Sequence, residues 1–103
     1  MEKEEQYYEF SADKNQYLIK ERGISFEDVV VAIEEGALLD VVPHPNPTKY
    51  PNQEMYVVNI NNYVHLVPFI RKDKNTVFLK TIIPHRKLTK LYLRGNQYEK
   101  EKA

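Results

Sequence analysis

Four ionisable residues in the C-terminal half of this 103-residue chain have the chemistry to handle a phosphodiester: Arg71, Lys80 and the adjacent pair His85-Arg86. Cleaving RNA without a metal takes a base for the 2′-hydroxyl proton, cations for the pentavalent phosphate and an acid for the leaving oxygen. Imidazole is the side chain that exchanges its proton near neutrality, which casts His85, or His65, as the proton carrier. Arg71 and Arg86 can hold phosphate oxygens through two N–H groups at once, and Lys80 adds a point charge. Tyr56 and Phe78 can stack bases, with Lys87 and Lys90 following the backbone. The same residues also fit a blander reading, that of a solvated charged surface with histidines in structural roles.

Other chemistries find no footing. The chain has three glycines and no phosphate-cradling loop, no nucleophile elbow, and no paired histidines at metal-ligand spacing. His44, His65 and His85 are too scattered to define a zinc site, and there is no cysteine to complete one or to build a disulfide framework. The expectation is a protein that uses neither metal nor cofactor.

Positioning falls to three strands. Gln53 to Ile60 and Tyr63 to Ile70 are rich in β-branched and aromatic residues and are separated only by Asn61-Asn62, which suits a two-residue type I′ hairpin. That turn pairs Ile60 with Tyr63, Val58 with His65, Tyr56 with Val67 and Glu54 with Phe69. A second polar loop, Lys72 to Asn75, would pair Arg71 with Thr76, Phe69 with Phe78, Val67 with Lys80 and His65 with Ile82. Alternation then puts Met55, Val57, Val64, Leu66, Pro68, Ile70, Val77, Leu79 and Ile83 on one aliphatic face, which the helices should cover. Glu54, Tyr56, His65, Phe69, Arg71, Phe78 and Lys80 occupy the other, open face, where Arg71, Lys80, His85 and Arg86 converge at one rim.

Earlier in the chain, Met1 to Glu5 reads as a frayed start and Gln6 to Phe10 as a short edge strand. Ser11 caps a helix over Ala12 to Arg22 that ends at Gly23, and Ser25 with Asp28 opens a second helix ending near Gly36. Leu38 to Val42 is a short strand. The proline-rich stretch from Pro43 to Pro51 is an exposed loop, either a stiff connector into the hairpin or a lid or partner contact. Pro84 ends the last strand, Arg86 to Leu93 forms a short helix with Leu88, Leu91 and Tyr92 inward, and a polar tail runs from Gly95. The expected fold is α+β, an antiparallel sheet packed on two N-terminal helices with a short C-terminal helix, in a single domain with its core over residues 7 to 93.

The net charge of zero hides an asymmetry. Residues 1 to 40 carry four Lys/Arg against eleven Asp/Glu, a net of −7, while residues 41 to 103 carry eleven against four, a net of +7. Between Arg71 and Arg94 lie eight basic residues and one acidic one, Asp73, a local field that favours a polyanion. No apolar run is long enough to span a bilayer, and the start is acidic where a signal peptide would be basic, so the expected location is cytoplasmic, away from membranes.

Several short motifs resemble the BrnT family of bacterial toxins, within the wider RelE/ParE-like group. Tyr8-Glu9-Phe10-Ser11-Ala12-Asp13-Lys14 is similar to the family's Phe-Glu-Trp-Asp start. Arg22-Gly23-Ile24-Ser25-Phe26-Glu27-Asp28 resembles its Lys-His-Gly-Val-Ser-Phe-Glu-Glu junction between helices. Ile82-Ile83-Pro84-His85-Arg86, with the helix to Tyr92, resembles its Ile-Ile-Ser-Ala-Arg ending. The resemblance implies a type II toxin that cleaves mRNA, free or on ribosomes, and is held as a hetero-oligomer by a ribbon-helix-helix antitoxin. It places Arg71 and Arg86 on arginines associated with activity. Pro84-His85 replaces the usual Ser-Ala, so catalysis by His85 comes from its chemistry and not from the family. The competing class is a non-catalytic nucleic-acid or protein-binding module, such as a ParE-like contact poison or an inactive relative.

Overall fold

A computed structural model describes residues 5–102; the frayed start expected for Met1 to Glu5 otherwise lies outside the described residues. The order is β1 (Tyr7–Phe10), α1 (Ala12–Arg22), α2 (Phe26–Glu34), β2 (Leu38–Pro43), β3 (Gln53–Ile60), β4 (Tyr63–Arg71), β5 (Thr76–Leu79), β6 (Ile83–Pro84) and α3 (Arg86–Lys102). The strands form one sheet in the order β1-β5-β4-β3-β2, with the two-residue β6 also on β4. The fold is α+β, but the sheet is mixed: β1 runs parallel to β5, so the purely antiparallel expectation fails at this edge. No helix among the described residues is long and apolar enough to cross a membrane.

Both N-terminal helices start and stop where their capping residues dictate. The Ser11 hydroxyl accepts from the Lys14 amide at 3.1 Å, and Gly23, at φ 67°, donates its N–H to the Ile19 carbonyl. Ser25 and Asp28 form a reciprocal capping box for α2. Buried Asn15 ties the pair together, its Nδ2 donating to Glu27 at 2.8 Å and its Oδ1 accepting the Phe26 amide at 2.7 Å. At the hairpin, Asn61 and Asn62 take φ of 56° and 62°, and β3 and β4 pair in the register the turn sets, from Ile60–Tyr63 to Glu54–Phe69.

The second hairpin differs from its expected register by one residue. Arg71 pairs with Val77, Ile70 with Phe78 and Phe69 with Leu79. Thr76 joins Lys72 to Asn75 between the first paired residues, Arg71 and Val77: the Lys72 and Asp73 amides both donate to the Thr76 carbonyl, and the Asp73 carboxylate accepts the Asn75 amide. A one-residue slip exchanges the faces of a strand. Val77 and Leu79 therefore join Tyr56, Val58, Val67 and Phe69, making that face the larger apolar surface.

That exchange corrects the expectation of which face the first two helices cover. Leu18 of α1 and Phe26, Val29 and Ala32 of α2 pack on Tyr56, Val58, Val67 and Phe69, the β3–β4 face expected to be open, together with Ile60, Ile82 and the displaced Val77 and Leu79. The aliphatic face of Met55, Val57, Val64 and Leu66 is covered by α3 through Leu88 and Leu93. Leu91, expected inward, is 67% exposed, and Tyr92 is turned so that its hydroxyl donates to Asp40 at 3.1 Å. The helix continues to Lys102 in place of the expected tail. The proline-rich stretch is a connector folded on itself, with the His44 and Tyr50 rings 4.4 Å apart.

Tyr56 illustrates the consequence. Its ring stacks on Phe69 at 3.9 Å in the core, and burial pushes its phenol up to about 12. In the unfolded chain the phenol ionises near pH 10, so the folded state holds its proton through a window in which the unfolded state has lost it. Stability is thus expected to fall as pH rises from about 10 to about 12, because each unit of separation is worth about 1.4 kcal/mol. Chemical denaturation at stepped alkaline pH checks this, with Tyr56→Phe expected to flatten the decline.

Candidate nucleic-acid interface

The residues singled out for chemistry divide between the two faces of the sheet. Tyr56, His65 and Arg71 lie on the α1–α2 side. Phe78 and Lys80 lie on the other, where α3 covers Met55, Val57, Val64 and Leu66 and leaves the surface around Ile70 and Phe78 half-buried. His85, Arg86, Lys87 and Lys90 belong to the start of α3 on this second side.

On the first side the pieces are already committed. Tyr56 is in the core and has no base-stacking surface. Arg71 donates from Nε to Glu54 at 2.7 Å, and this bond holds its guanidinium pKa above the usual value. It sits seven positions along β4 from Val64, whose carbonyl accepts the His85 amide, so it stands about 23 Å from the start of α3. Arg71 and Arg86 do not converge. His65 is half-buried, its Nδ1 donating to the Tyr63 carbonyl at 2.9 Å and its ring edge-on to Tyr63, and desolvation lowers its pKa.

The second side keeps its charges available. The Lys80 ammonium lies 5.6 Å from the centre of the Phe78 ring, and the Lys80 amide is held by the Pro68 carbonyl at 2.8 Å. Phe78 and exposed Tyr7 are the aromatic groups of this surface; Tyr7 escaped sequence reading because its neighbour Tyr8 fits the core periodicity equally well. Arg86, Lys87, Lys90 and Arg94 are exposed, and at 3.6 residues per turn they fall within an arc of about 100° on α3. They have no carboxylate partner among the described residues.

The start of α3 is unusual for its charge. Helix N-termini favour acidic residues, as α1 and α2 show with Asp13, Glu27 and Asp28, yet the first turn of α3 has none and carries Arg86 and Lys87. Two cations added to the positive end of a helix disfavour the helix unless an anion joins them. Arg22 contributes nearby by donating to the Ile82 carbonyl at 2.7 Å, where the chain leaves β5 for β6. Sequence reading missed this role because the orphaned carbonyl arises only from the break between the two strands.

His85 turns out to be a cap. Its Nδ1 accepts the Leu88 amide at 3.1 Å, while its carbonyl accepts from both the amide and the hydroxyl of fully buried Thr89. The Thr89 hydroxyl oxygen also accepts the Val64 amide at 2.8 Å, which docks α3 on β4. An accepting Nδ1 leaves the proton on Nε2, so His85 offers a donor to a phosphate oxygen and no free base nitrogen. We expect His85→Ala to cost about 0.5–2 kcal/mol of stability and His85→Asn to restore most of it, measured by chemical denaturation.

No protein-family model matches the chain, and no curated protein shows significant similarity to it.

Proposed function

We propose that this protein is an RNA-directed toxin of a type II toxin–antitoxin system, RelE/ParE-like in fold, that holds single-stranded RNA on the α3 side of its sheet and cleaves it without a metal. The observation that carries the reading is the grouping of Lys80 over the Phe78 ring with the basic start of α3 on the same uncovered side. Bases stack on Phe78 and Tyr7 while Lys80, Arg86, Lys87 and Lys90 follow the phosphates. The order of elements, with two capped helices before an antiparallel core of strands and a basic helix after it, agrees with the fold that the resemblance to BrnT toxins implies. A ribbon-helix-helix antitoxin is the partner that goes with this reading.

In the cleavage step the 2′-oxygen attacks phosphorus and releases its proton to water, and the 5′-oxygen departs and takes one from water. The products are a 2′,3′-cyclic phosphate and a 5′-hydroxyl. Arg86 and the Nε2–H of His85 stabilise the charge that builds on the phosphoryl oxygens, a contribution that needs no change in their own protonation.

A second reading, binding without cleavage, is favoured by one observation: the Nδ1 of His85 is occupied by the Leu88 amide, so this side presents no imidazole base. Incubating the purified protein with an unstructured RNA oligonucleotide in chelator separates the two. Cyclic-phosphate products support the nuclease, retention of intact RNA supports the binder, and failure to bind RNA at low salt refutes both.

A further inference from the structure

A carboxylate stands among the cations of the α3 side. Glu9 of β1 pairs in register with Phe78 of β5, and because their neighbours Tyr8 and Val77 turn into the core, Glu9 and Phe78 share the side of the sheet that α3 leaves open. Neighbouring strands lie about 4.8 Å apart, so the two side chains rise next to each other. Oε1 of Glu9 accepts from the Lys72 ammonium at 2.8 Å. Since Lys72 follows β4 and Glu9 belongs to β1, with β5 between them, this bond crosses β5 beside the Phe78 ring.

A negative charge repels phosphate, so a strand stacked on Phe78 does not run its backbone over Glu9. What it can present there is the edge of a base, the part by which single-stranded RNA is read. Lys80 follows Phe78 along the chain, its ammonium 5.6 Å from the ring centre, whereas the ion pair lies toward Thr76, whose carbonyl accepts the Lys72 amide at 2.9 Å. A base stacked on Phe78 therefore meets the ion pair along one edge. The Lys72 and Glu9 side chains are 52% and 50% exposed, which leaves both open to a ligand.

We infer that Glu9 and Lys72 select guanine as the base stacked on Phe78, an inference that rests on RNA binding at this side of the sheet. The bond to Lys72 uses one of about four acceptor sites on the carboxylate. Guanine alone among the four bases carries two adjacent donors, N1–H and N2–H, on its Watson–Crick edge, with the acceptor O6 next to them. Glu9 takes both donors as a charge-assisted bidentate pair, and Lys72 donates to O6. Adenine, cytosine and uracil each offer one donor on that edge with an acceptor beside it, so the second carboxylate oxygen would face a lone pair.

The test measures affinity of the full chain for short 2′-O-methyl oligouridines, which lack the attacking hydroxyl and so stay intact. One is all uridine, and the others carry a single central guanosine, inosine, adenosine or cytidine. The guanosine oligonucleotide is expected to bind about tenfold or more tightly than those with adenosine, cytidine or uridine, the discrimination that a good bidentate base contact gives. Inosine, which keeps O6 and N1–H but lacks the N2 amine, should fall between. Glu9→Ala is expected to level the series without weakening the all-uridine oligonucleotide, while Arg86→Ala weakens every member and keeps their ratios. Equal affinity across the series for the parent protein, or a guanosine preference that survives Glu9→Ala, would overturn the inference and leave RNA binding standing. Failure of every oligonucleotide to bind at low salt would overturn RNA binding and this inference with it.

Discussion

Phe69→Ala is expected to remove about 3–5 kcal/mol of stability, the range for deleting a fully buried aromatic side chain. Phe69 is 0% exposed, stacks on Tyr56 and shares its cluster with Leu18, Phe26 and Val29 from both N-terminal helices. Against a total stability of about 5–15 kcal/mol for a domain of this kind, such a loss brings the protein close to unfolding at ambient temperature. The result discriminates sharply between the two faces of the sheet. Were Phe69 on an open face, as strand alternation with the expected second hairpin would have it, truncation would cost about 0.5 kcal/mol or less. Urea denaturation of the variant gives the answer directly, and a midpoint near that of the parent protein would return α1 and α2 to the other face.

Arg86→Ala is expected to eliminate growth arrest on expression and to reduce RNA cleavage by roughly two to three orders of magnitude, as loss of a donor to a developing oxyanion does. The fold should survive, since Arg86 is exposed at the first position of α3 and the helix is anchored by Thr89 and by the His85 cap. Arg71→Ala makes an informative companion. Its partner is Glu54, the two side chains are 54% and 36% exposed, and a solvent-accessible pair of this kind contributes about 0–1 kcal/mol. Retained toxicity in Arg71→Ala together with loss in Arg86→Ala fits the division of the two residues between opposite sides of the sheet. Loss in both would mean that RNA reaches around the end of β4, and loss in Arg71→Ala alone would move the site to the α1–α2 side.

Local signals carried most of the architecture. Ser11, Gly23, Ser25 and Asp28 each act within one turn of chain, and they bounded both N-terminal helices. Asn61-Asn62 fixed the β3–β4 register because a two-residue turn with positive φ at both positions leaves no freedom in the pairing. The Lys72–Asn75 loop has no such constraint: whether Arg71 pairs with Thr76 or with Val77 depends on which carbonyl the Lys72 and Asp73 amides select. That one residue moved Val77 and Leu79 onto the α1–α2 face and Phe78 onto the other. The capping role of His85 was equally hidden, because histidine at the start of a helix reads as chemistry until its Nδ1 is seen to hold the Leu88 amide. Lys80 and Phe78, placed on an open side for the wrong reason, remain there because the slip moved them to the side that α3 leaves uncovered.

The claim that the α3 side of the sheet binds RNA is tested most directly by the salt dependence of affinity for an unstructured RNA oligonucleotide. Each phosphate contact on a single strand contributes a slope of about −0.7 in a plot of log affinity against log salt. Lys80→Ala and Arg86→Ala are each expected to lower the magnitude of the slope by about that amount, and Arg71→Ala to leave it unchanged. An affinity independent of salt, or a slope reduced by Arg71→Ala and untouched by Lys80→Ala and Arg86→Ala, would contradict it.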